Sequence, residues 1–240
     1  MTTTAIILAG GLGTRLRSVV PNLPKPMAPL NGRPFLEYQL DYWIAQGVHH
    51  FILSVGYRKE AIIAHFGETY CGARIQYVTE TEPLGTGGGL LLAMEALPGD
   101  EPFLLLNGDT FFEVSLNEIK AFHAARQSDW TFLLFRTSEM DRYMGLDLDM
   151  DDRIISLSTA SSNGESLANG GVYLISPNIV RRCEFPLDEQ ISLEERIIPD
   201  IMEIGGKVFG LECKGQFIDI GIPEDYQRAA NMLAFKVETS

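Results

Sequence analysis

The chain has 240 residues, 45% of them hydrophobic, and a formal net charge of −13. This length can bury one sizeable core, so we expect a single domain over residues 1–240 with no room for a second large one. An acidic chain disfavours nucleic acid and anionic membranes as partners, and no apolar run approaches the roughly 18 residues that a membrane span needs.

The three cysteines indicate the compartment. Cys71, Cys183 and Cys213 are odd in number, far apart and free of CxxC spacing. This pattern favours reduced thiols over a disulfide framework or a metal motif. We therefore expect a soluble, cytoplasmic protein.

A glycine-rich loop follows the first predicted strand, which is the apolar run over residues 5–9. The first 36 residues hold four basic residues and no acidic one, although the whole chain is acidic. Glycines let backbone N–H groups approach a phosphate, and cations neutralise it. We predict a site for a small polyanion, the alternative being a tight turn with incidental surface charge. The groups that would form the site are Gly10, Gly11, Gly13, Thr14, Arg15, Arg17 and Lys25.

Helices and strands alternate after this loop. The apolar spacing predicts helices over residues 34–46 and 59–66, and strands over residues 51–55 and 75–78. Such alternation indicates a largely parallel sheet with helices on both faces. Ligands of such sheets bind beyond the carboxyl ends of the strands.

A second glycine cluster follows the third strand. Glu80 and Pro83 precede Gly85, Thr86 and three more glycines, ahead of a helix predicted over residues 90–96. We interpret the cluster as a second loop that a ligand approaches closely, the alternative being a flexible turn.

A fourth strand, over residues 103–106, ends at Asn107, Gly108 and Asp109. An aspartate at this place lies where an α/β sheet binds its ligands. By itself, however, such an aspartate is as often a helix cap or a turn residue.

The second half of the chain continues the α/β pattern. Residues 145–149 and 154–157 predict an antiparallel hairpin, with Asp151 and Asp152 as a solvated turn. Ser192 and Glu195 predict a capped helical turn that Pro199 limits. The other predicted elements are a helix over residues 116–126, strands over 130–135, 208–211 and 217–220, and a helix beginning at Pro223.

Two widespread phosphate motifs are absent, because Leu16 stands where a dinucleotide fingerprint needs its third glycine and no Gly-Lys-Ser/Thr occurs. The residues instead resemble the signature of the sugar-phosphate nucleotidyltransferases, LAGGxGTRL followed by PKPM. The matches run collinearly from Ala5 to about Ala234 and resemble most the branch that activates heptose 1-phosphate with GTP. They are LAGGLGTRL at 8–16, PKPM at 24–27, PLGTGG at 83–88, NGD at 107–109, DRY at 141–143, NGG at 169–171 and FIDIGIPEDY at 217–226.

The resemblance implies a Rossmann-like nucleotide-diphospho-sugar transferase fold, with a mixed, mostly parallel sheet of seven or a similar number of strands flanked by helices. It also implies a reaction, in which a nucleoside triphosphate transfers its monophosphate to a sugar 1-phosphate and releases pyrophosphate. Arg15 would hold the β and γ phosphates and Lys25 the charge at the α phosphate. Asp109 and Asp219 would hold Mg²⁺, which needs only one or two carboxylates beside phosphate oxygens.

The resemblance further implies the binding residues. Those for the nucleotide are Leu8, Gly10, Gly11, Gly13, Thr14, Glu80, Pro83, Gly85, Thr86, Asn107 and Gly108. Those for the sugar phosphate are Gly145, Asn169, Gly170 and Glu194, although Glu194 fits an exposed first-turn glutamate nearly as well.

Two departures from the family affect the sugar half. Thr159 and Ala160 stand where relatives usually have Glu-Lys, so the lysine expected on the sugar phosphate is missing. Met144 follows Tyr143 where relatives often have glycine, which here is delayed to position 145. Because a dianion needs a cation, we predict that Arg142 or Lys214 replaces the missing lysine.

Glu80 predicts the donor nucleotide. Its position is where relatives place the side chain that reads the base edge. Guanine offers two adjacent donors, N1–H and the N2 amino group, which one carboxylate can accept together. We therefore expect GTP, the alternative being that Glu80 faces solvent and backbone groups near Gly10 and Gly11 read the base.

Other functions remain open from the sequence. One is a sugar-1-phosphate nucleotidyltransferase that uses mannose or glucose 1-phosphate, or dTTP, UTP or CTP as donor. Another is a regulatory relative that has lost catalysis. A glycosyltransferase would need an Asp-x-Asp motif after a strand, which Asp147-Leu148-Asp149 and Asp149-Met150-Asp151 fit only nominally. The resemblance also allows a homo-oligomer, for which the sequence identifies no interface.

Overall fold

The structure is a computed structural model that describes residues 3–11, 13, 16, 20–139, 142–158, 166–186 and 189–234. Strands and helices alternate along most of this part of the chain. The strands are β1 (Thr3–Ala9), β2 (Pro29–Leu30), β3 (Arg33–Pro34), β4 (Val48–Val55), β5 (Thr69–Tyr70), β6 (Ala73–Thr79), β7 (Phe103–Asn107), β8 (Thr110–Phe112), β9 (Trp130–Thr137), β10 (Gly145–Leu148), β11 (Ile154–Ser158), β12 (Ser166–Ile175), β13 (Val208–Glu212) and β14 (Phe217–Asp219). The α-helices are α1 (Phe35–Ala45), α2 (Lys59–Phe66), α3 (Gly85–Met94), α4 (Leu116–Arg126), α5 (Pro177–Arg181), α6 (Ile198–Glu203) and α7 (Pro223–Ala234).

A mixed sheet forms the centre of the molecule. Across the described ranges it has ten strands, with β11-β10-β12-β7-β1-β4-β6-β5 in order, β9 paired with β12, and β13 paired with β9. Strands β7, β1, β4 and β6 are parallel, and β12 pairs antiparallel with β7. The predicted α/β class is confirmed. Seven strands form the body of the sheet, and the predicted β10–β11 hairpin and the two-residue β5, which is too short for a periodic signal, extend it to ten.

Helices cover both faces of the sheet. The first strand is apolar along its length because both of its faces are buried: Ile7 belongs to one buried cluster with Leu36 and Leu40 of α1, and Ile6 to another with Leu90 of α3. Burial on two faces is what a near-continuous apolar strand predicts. Among the described helices, none is long and apolar enough to cross a membrane.

The second glycine cluster is helical, which corrects the predicted loop. Helix α3 begins at Gly85 and includes Gly87, Gly88 and Gly89, all three buried. The segment around Ile191 lies against this turn, and a Cβ on Gly87 would be 2.9 Å from the Ile191 Cγ2 atom. The glycines therefore serve close packing within a helix and do not form the ligand-approached loop that the sequence predicted.

A capped turn near residue 195 also differs in part from its prediction. Ser192 accepts the hydrogen bond from the Glu195 N–H as predicted, at 3.1 Å. The following turn, Leu193–Ile197, is a π-helix that continues directly into α6. Pro199 does not end it, because proline is tolerated in the first turn of α6, where its missing N–H has no helical partner to lose.

Candidate active site

One cavity of about 400 Å³ lies beyond the carboxyl ends of the parallel strands. Lys25 and Asp109 line it, and so does Gln190, which the sequence did not predict. The predicted nucleotide contacts that the structure describes all line this cavity as well: Leu8, Gly10, Gly11, Gly13, Glu80, Pro83, Gly85, Thr86, Asn107 and Gly108. Two glycine segments that are more than 70 residues apart in the chain thus line one cavity.

Several predicted residues lie outside the described residues. These are Thr14 and Arg15 of the glycine loop, the neighbouring Arg17, and Thr159 and Ala160, where the family lysine is missing. Their roles stay predictions from the sequence.

Lys25 lies close to two aspartates, one of which, Asp109, lines the cavity with it. Lys25 begins a short 3₁₀ helix, Lys25–Met27, whose Pro26 and Met27 are buried, and its ammonium Nζ lies 2.6 Å from Asp109 Oδ2. Strand β14 pairs antiparallel with β8, which places Asp219 directly opposite Thr110 and next to Asp109. A Cβ on Gly221 would be 2.7 Å from Asp219 Oδ1 and 3.1 Å from Lys25 Nζ. One ammonium and two carboxylates therefore share a small volume.

This arrangement fits a magnesium ion. Asp109 and Asp219 offer hard oxygen ligands from adjacent strand ends, and both are half-buried. No group of three or more His, Cys, Asp or Glu side chains that could form a metal cage occurs in the described ranges. Mg²⁺ prefers one or two carboxylates with substrate phosphates and water completing its shell, so two neighbouring aspartates, one of which lines the cavity, suit it.

Glu80 is held at the cavity wall. The Ser54 hydroxyl donates to its Oε1 at 2.9 Å, and the Leu84 N–H donates to its Oε2 at 3.3 Å. A Cβ on Gly10 would overlap Oε1, so only glycine leaves room for the carboxylate at this place. The carboxylate is fixed by these contacts beside the first glycine loop and does not extend into solvent.

The predicted sugar-side residues lie outside the lining of this cavity. Asn169 donates from Nδ2 to the Tyr173 hydroxyl at 2.6 Å, and its N–H donates to the Met144 carbonyl, the residue before Gly145. A Cβ on Gly170 would overlap the Phe112 ring, so this glycine permits close packing on β8. Glu194 accepts a hydrogen bond from the Thr86 hydroxyl at 3.2 Å, which ties it to the nucleotide-side helix.

Arg142 and Lys214 occupy different surroundings. Arg142 forms ion pairs with the buried Asp225 and with Glu139, and its guanidinium carbon lies over the Tyr143 ring, 5.1 Å from the ring centroid. Burial raises the pKa of Tyr143 to about 12, Arg142 opposes that rise and Asp219 adds to it. Arg142 thus packs against a tyrosine that lies within the electrostatic influence of Asp219.

Lys214 lies at the far end of the β8–β14 ribbon. It precedes β14, beside Glu113, whereas Asp219 ends that strand. It lines a different cavity, of about 730 Å³, together with Tyr143 and Arg228. Glu139 and Asp225, the ion-pair partners of Arg142, line that cavity too, so the two candidates differ only in the position of Lys214 at the far end of the ribbon.

The aspartates of the hairpin stabilise the hairpin itself. Asp147 Oδ2 accepts a hydrogen bond from the Ser156 hydroxyl, and Asp149 Oδ1 accepts from the Asp151 and Arg153 N–H groups. The hairpin forms the edge of the sheet beyond β12. Its Asp-x-Asp pattern is therefore a turn feature, and the glycosyltransferase alternative loses its motif.

Two polar residues that the sequence did not predict form hydrogen bonds with parts of the site. Ser54 is fully buried and holds Glu80, and Gln39 of α1 is 3% exposed and bonds to the turn that carries Asp109. Each interrupts an apolar pattern: Ser54 stands near the end of an apolar strand, and Gln39 shares the helix face of Leu36 and Leu40. A polar residue on a buried face is the signal that could have identified both.

Comparison with known proteins gives a consistent family. The family model described as Nucleotidyl transferase matches residues 4–235. A curated D-glycero-alpha-D-manno-heptose 1-phosphate guanylyltransferase of Aneurinibacillus thermoaerophilus is 42% identical over 232 residues, covering 95% of this chain and 97% of the relative. A protein of the same name from Campylobacter jejuni is 38% identical, covering 92% and 96%.

Solved structures agree with the sequence relatives. The crystal structure of HddC from Yersinia pseudotuberculosis superimposes with a TM-score of 0.84 at 34% identity, covering 97% of this chain and all of that chain. The same protein complexed with GMP-PN gives a TM-score of 0.83.

Proposed function

Because this chain belongs to the nucleotidyl transferase family, we propose that it transfers GMP from GTP to a heptose 1-phosphate, forming GDP-heptose and pyrophosphate. Its similarity to two heptose 1-phosphate guanylyltransferases along nearly their full length supports the sugar. The observation that carries the proposal is the Lys25–Asp109 pair in a cavity lined by both glycine segments. A cytoplasmic location is part of the proposal, since the three cysteines are free thiols.

The reaction asks for positioning and charge neutralisation. An oxygen of the sugar phosphate attacks the α phosphorus in line with the departing pyrophosphate, so one P–O bond forms as another breaks. Backbone N–H groups of Gly10, Gly11 and Gly13 would cradle the phosphates, and Lys25 would neutralise charge at the α phosphate. Arg15 would hold the β and γ phosphates.

Magnesium completes the charge balance. Asp109 and Asp219 would hold the ion, which supplies a positive charge that both substrates share when it is bound. Lys25, already 2.6 Å from Asp109, would then have its ammonium shared between that carboxylate and the α phosphate.

A substrate panel tests the proposal. Pyrophosphate release would be measured with GTP, dTTP, UTP, CTP and ATP, each against heptose, mannose and glucose 1-phosphates. We expect GTP with a heptose 1-phosphate to give the highest kcat/KM. Another preferred pair would correct the substrates, and no turnover with any pair would identify the silent regulatory relative.

Replacing Glu80 should reduce the preference for GTP. Gln keeps the shape of Glu80 but turns one acceptor into a donor that faces a guanine N–H, so one buried group loses its partner. Such a loss costs about 1 to 3 kcal/mol, or roughly tenfold to a hundredfold in selectivity. The measurement is kcat/KM for GTP relative to dTTP and CTP in Glu80→Gln.

Glu82→Gln is the matched control, because Glu82 is an exposed glutamate two residues along the same segment. It should keep the GTP preference. Equal kcat/KM for the three triphosphates in the unmodified protein would contradict the role of Glu80 altogether.

Arg142→Met should raise KM for the sugar phosphate. Arg142 is the candidate cation near Tyr143, and a charged hydrogen bond is worth about 1.5 to 3 kcal/mol, which corresponds to roughly tenfold or more in KM. KM for GTP should change much less. Lys214→Met is the control, and it should leave both values close to those of the unmodified protein.

Because Arg142 pairs with the buried Asp225, the melting temperature of Arg142→Met has to be measured as well. Arg142→Lys, which keeps the charge, should restore part of the affinity. A rise in KM for the sugar phosphate with Lys214→Met alone would assign Lys214 as the cation instead. If neither variant raises KM, backbone groups or the metal bind the sugar phosphate.

A further inference from the structure

The turn that carries Asp109 is fixed by hydrogen bonds from three sides. The Gly108 N–H donates to the Leu8 carbonyl of β1 at 3.0 Å. The Ile220 N–H, just after β14, donates to the Asp109 carbonyl at 3.0 Å. The third set comes from the Gln39 side chain of α1, which donates from Nε2 to the carbonyls of both Asn107, at 2.8 Å, and Thr110.

Gln39 therefore joins the two ends of the turn. Asn107 ends β7 and Thr110 begins β8, so one amide group bridges the residues that flank Gly108 and Asp109. The side chain is 3% exposed, and its Oε1 has no hydrogen-bond partner among the described residues. The amide acts here as a donor only, and its two N–H groups are both used on the turn.

We propose that Gln39 is a positioning residue that sets the place of Asp109, and with it the place of the metal and of the Lys25 ion pair. This inference rests on the proposed function for the identity of the ion. Residues that orient metal ligands from behind commonly change metal affinity or activity by about tenfold to a hundredfold when they are replaced. A shift of about 1 Å in a reacting group has a comparable effect.

The same helix supplies a matched control. Gln46, at the C-terminal end of α1, also bonds to main-chain groups: it donates from Nε2 to the Val114 carbonyl at 3.2 Å and accepts from the Leu116 N–H at 2.7 Å. Those groups precede and begin α4, away from the turn. Both glutamines tie α1 to a neighbouring segment, but only Gln39 contacts the turn that bears Asp109.

The test compares Gln39→Met with Gln46→Met in the full-length protein. Hydrogen–deuterium exchange without any ligand would follow the peptide that contains residues 107–110, and steady-state rates would give the Mg²⁺ concentration for half-maximal kcat. For Gln39→Met we expect faster exchange in that peptide and a rise in the half-maximal Mg²⁺ concentration of about tenfold or more. Gln46→Met should keep the exchange rate at residues 107–110 and the half-maximal Mg²⁺ concentration within about threefold of the unmodified protein, well below the tenfold effect expected for Gln39→Met.

Two results would overturn the proposal. One is unchanged exchange at residues 107–110 in Gln39→Met, and the other is a Mg²⁺ requirement that matches that of Gln46→Met. If Gln39→Met does not fold, Gln39→Asn keeps an amide on a side chain one methylene shorter, which no longer spans the two carbonyls, and the same two measurements apply. Absence of turnover with every substrate pair would contradict the proposed function. The exchange experiment would still show whether Gln39 stabilises the turn.

Discussion

Asp109→Asn should lose about a hundredfold or more in kcat while keeping its fold. The estimate follows the effect of removing one group that stabilises charge in a transition state. Asparagine has nearly the same shape, and Asp109 is a half-buried residue at a strand end that contributes no apolar contact to the core. The expected loss therefore reports the missing charge and metal ligand. The measurements are kcat over a range of Mg²⁺ concentrations and the melting temperature.

Asp151→Asn is the control for this change, because Asp151 lies exposed in the hairpin turn between β10 and β11. It should retain full activity. Turnover of Asp109→Asn close to that of the unmodified protein in Mg²⁺ would end the model in which two carboxylates hold the metal.

Lys25→Met should reduce kcat by about a hundredfold to a thousandfold, with a smaller change in KM for GTP. Methionine fills a similar volume but carries no charge, so it removes the cation assigned to the α phosphate, where charge builds up during the reaction. Lys207→Met, which removes an exposed lysine before β13, should be neutral. A loss confined to KM would instead assign Lys25 to ground-state binding of the triphosphate.

Combining Lys25→Met with Asp109→Asn tests whether the two residues act as one unit or independently. Lys25 and Asp109 contact each other at 2.6 Å, and groups that act as one unit lose activity non-additively when both are removed. We therefore expect the double variant to be little worse than the poorer single variant. Multiplied losses would mean that the two groups act at separate places in the reaction.

The ends of the strands could be predicted from the sequence because local patterns determine them. Glycines and Asp109 follow directly after apolar runs, and the carboxyl ends of parallel strands meet at one edge of a sheet. The family resemblance supplied the second aspartate, Asp219, which β14 brings beside Asp109 through pairing with β8. Nothing local to residue 219 reveals that pairing.

Contacts between residues far apart in the chain could not be predicted from the sequence. Arg142 pairs with Asp225, 83 residues away, and Gln39 with a turn 68 residues away. Such contacts depend on the assembled fold and leave no spacing pattern in the chain. The helical conformation of the α3 glycines was missed for the same reason, since glycine disfavours helix by itself and packing against residue 191 overrides that preference.

The start of α3 also bears on the order in which the chain folds. Four of the ten residues in α3 are glycines, each about 1 kcal/mol less favourable in a helix than alanine. The N–H groups of Gly87 and Gly88 find their acceptor in the Ile191 carbonyl, more than 100 residues further along the chain. In an isolated N-terminal half these N–H groups would bond to water instead, so α3 would lack this stabilising contact until residue 191 has been synthesised. Because the neighbouring Gln190 also lines the nucleotide cavity, we expect the cavity to be completed late in synthesis, after the half of the chain that carries the sugar side.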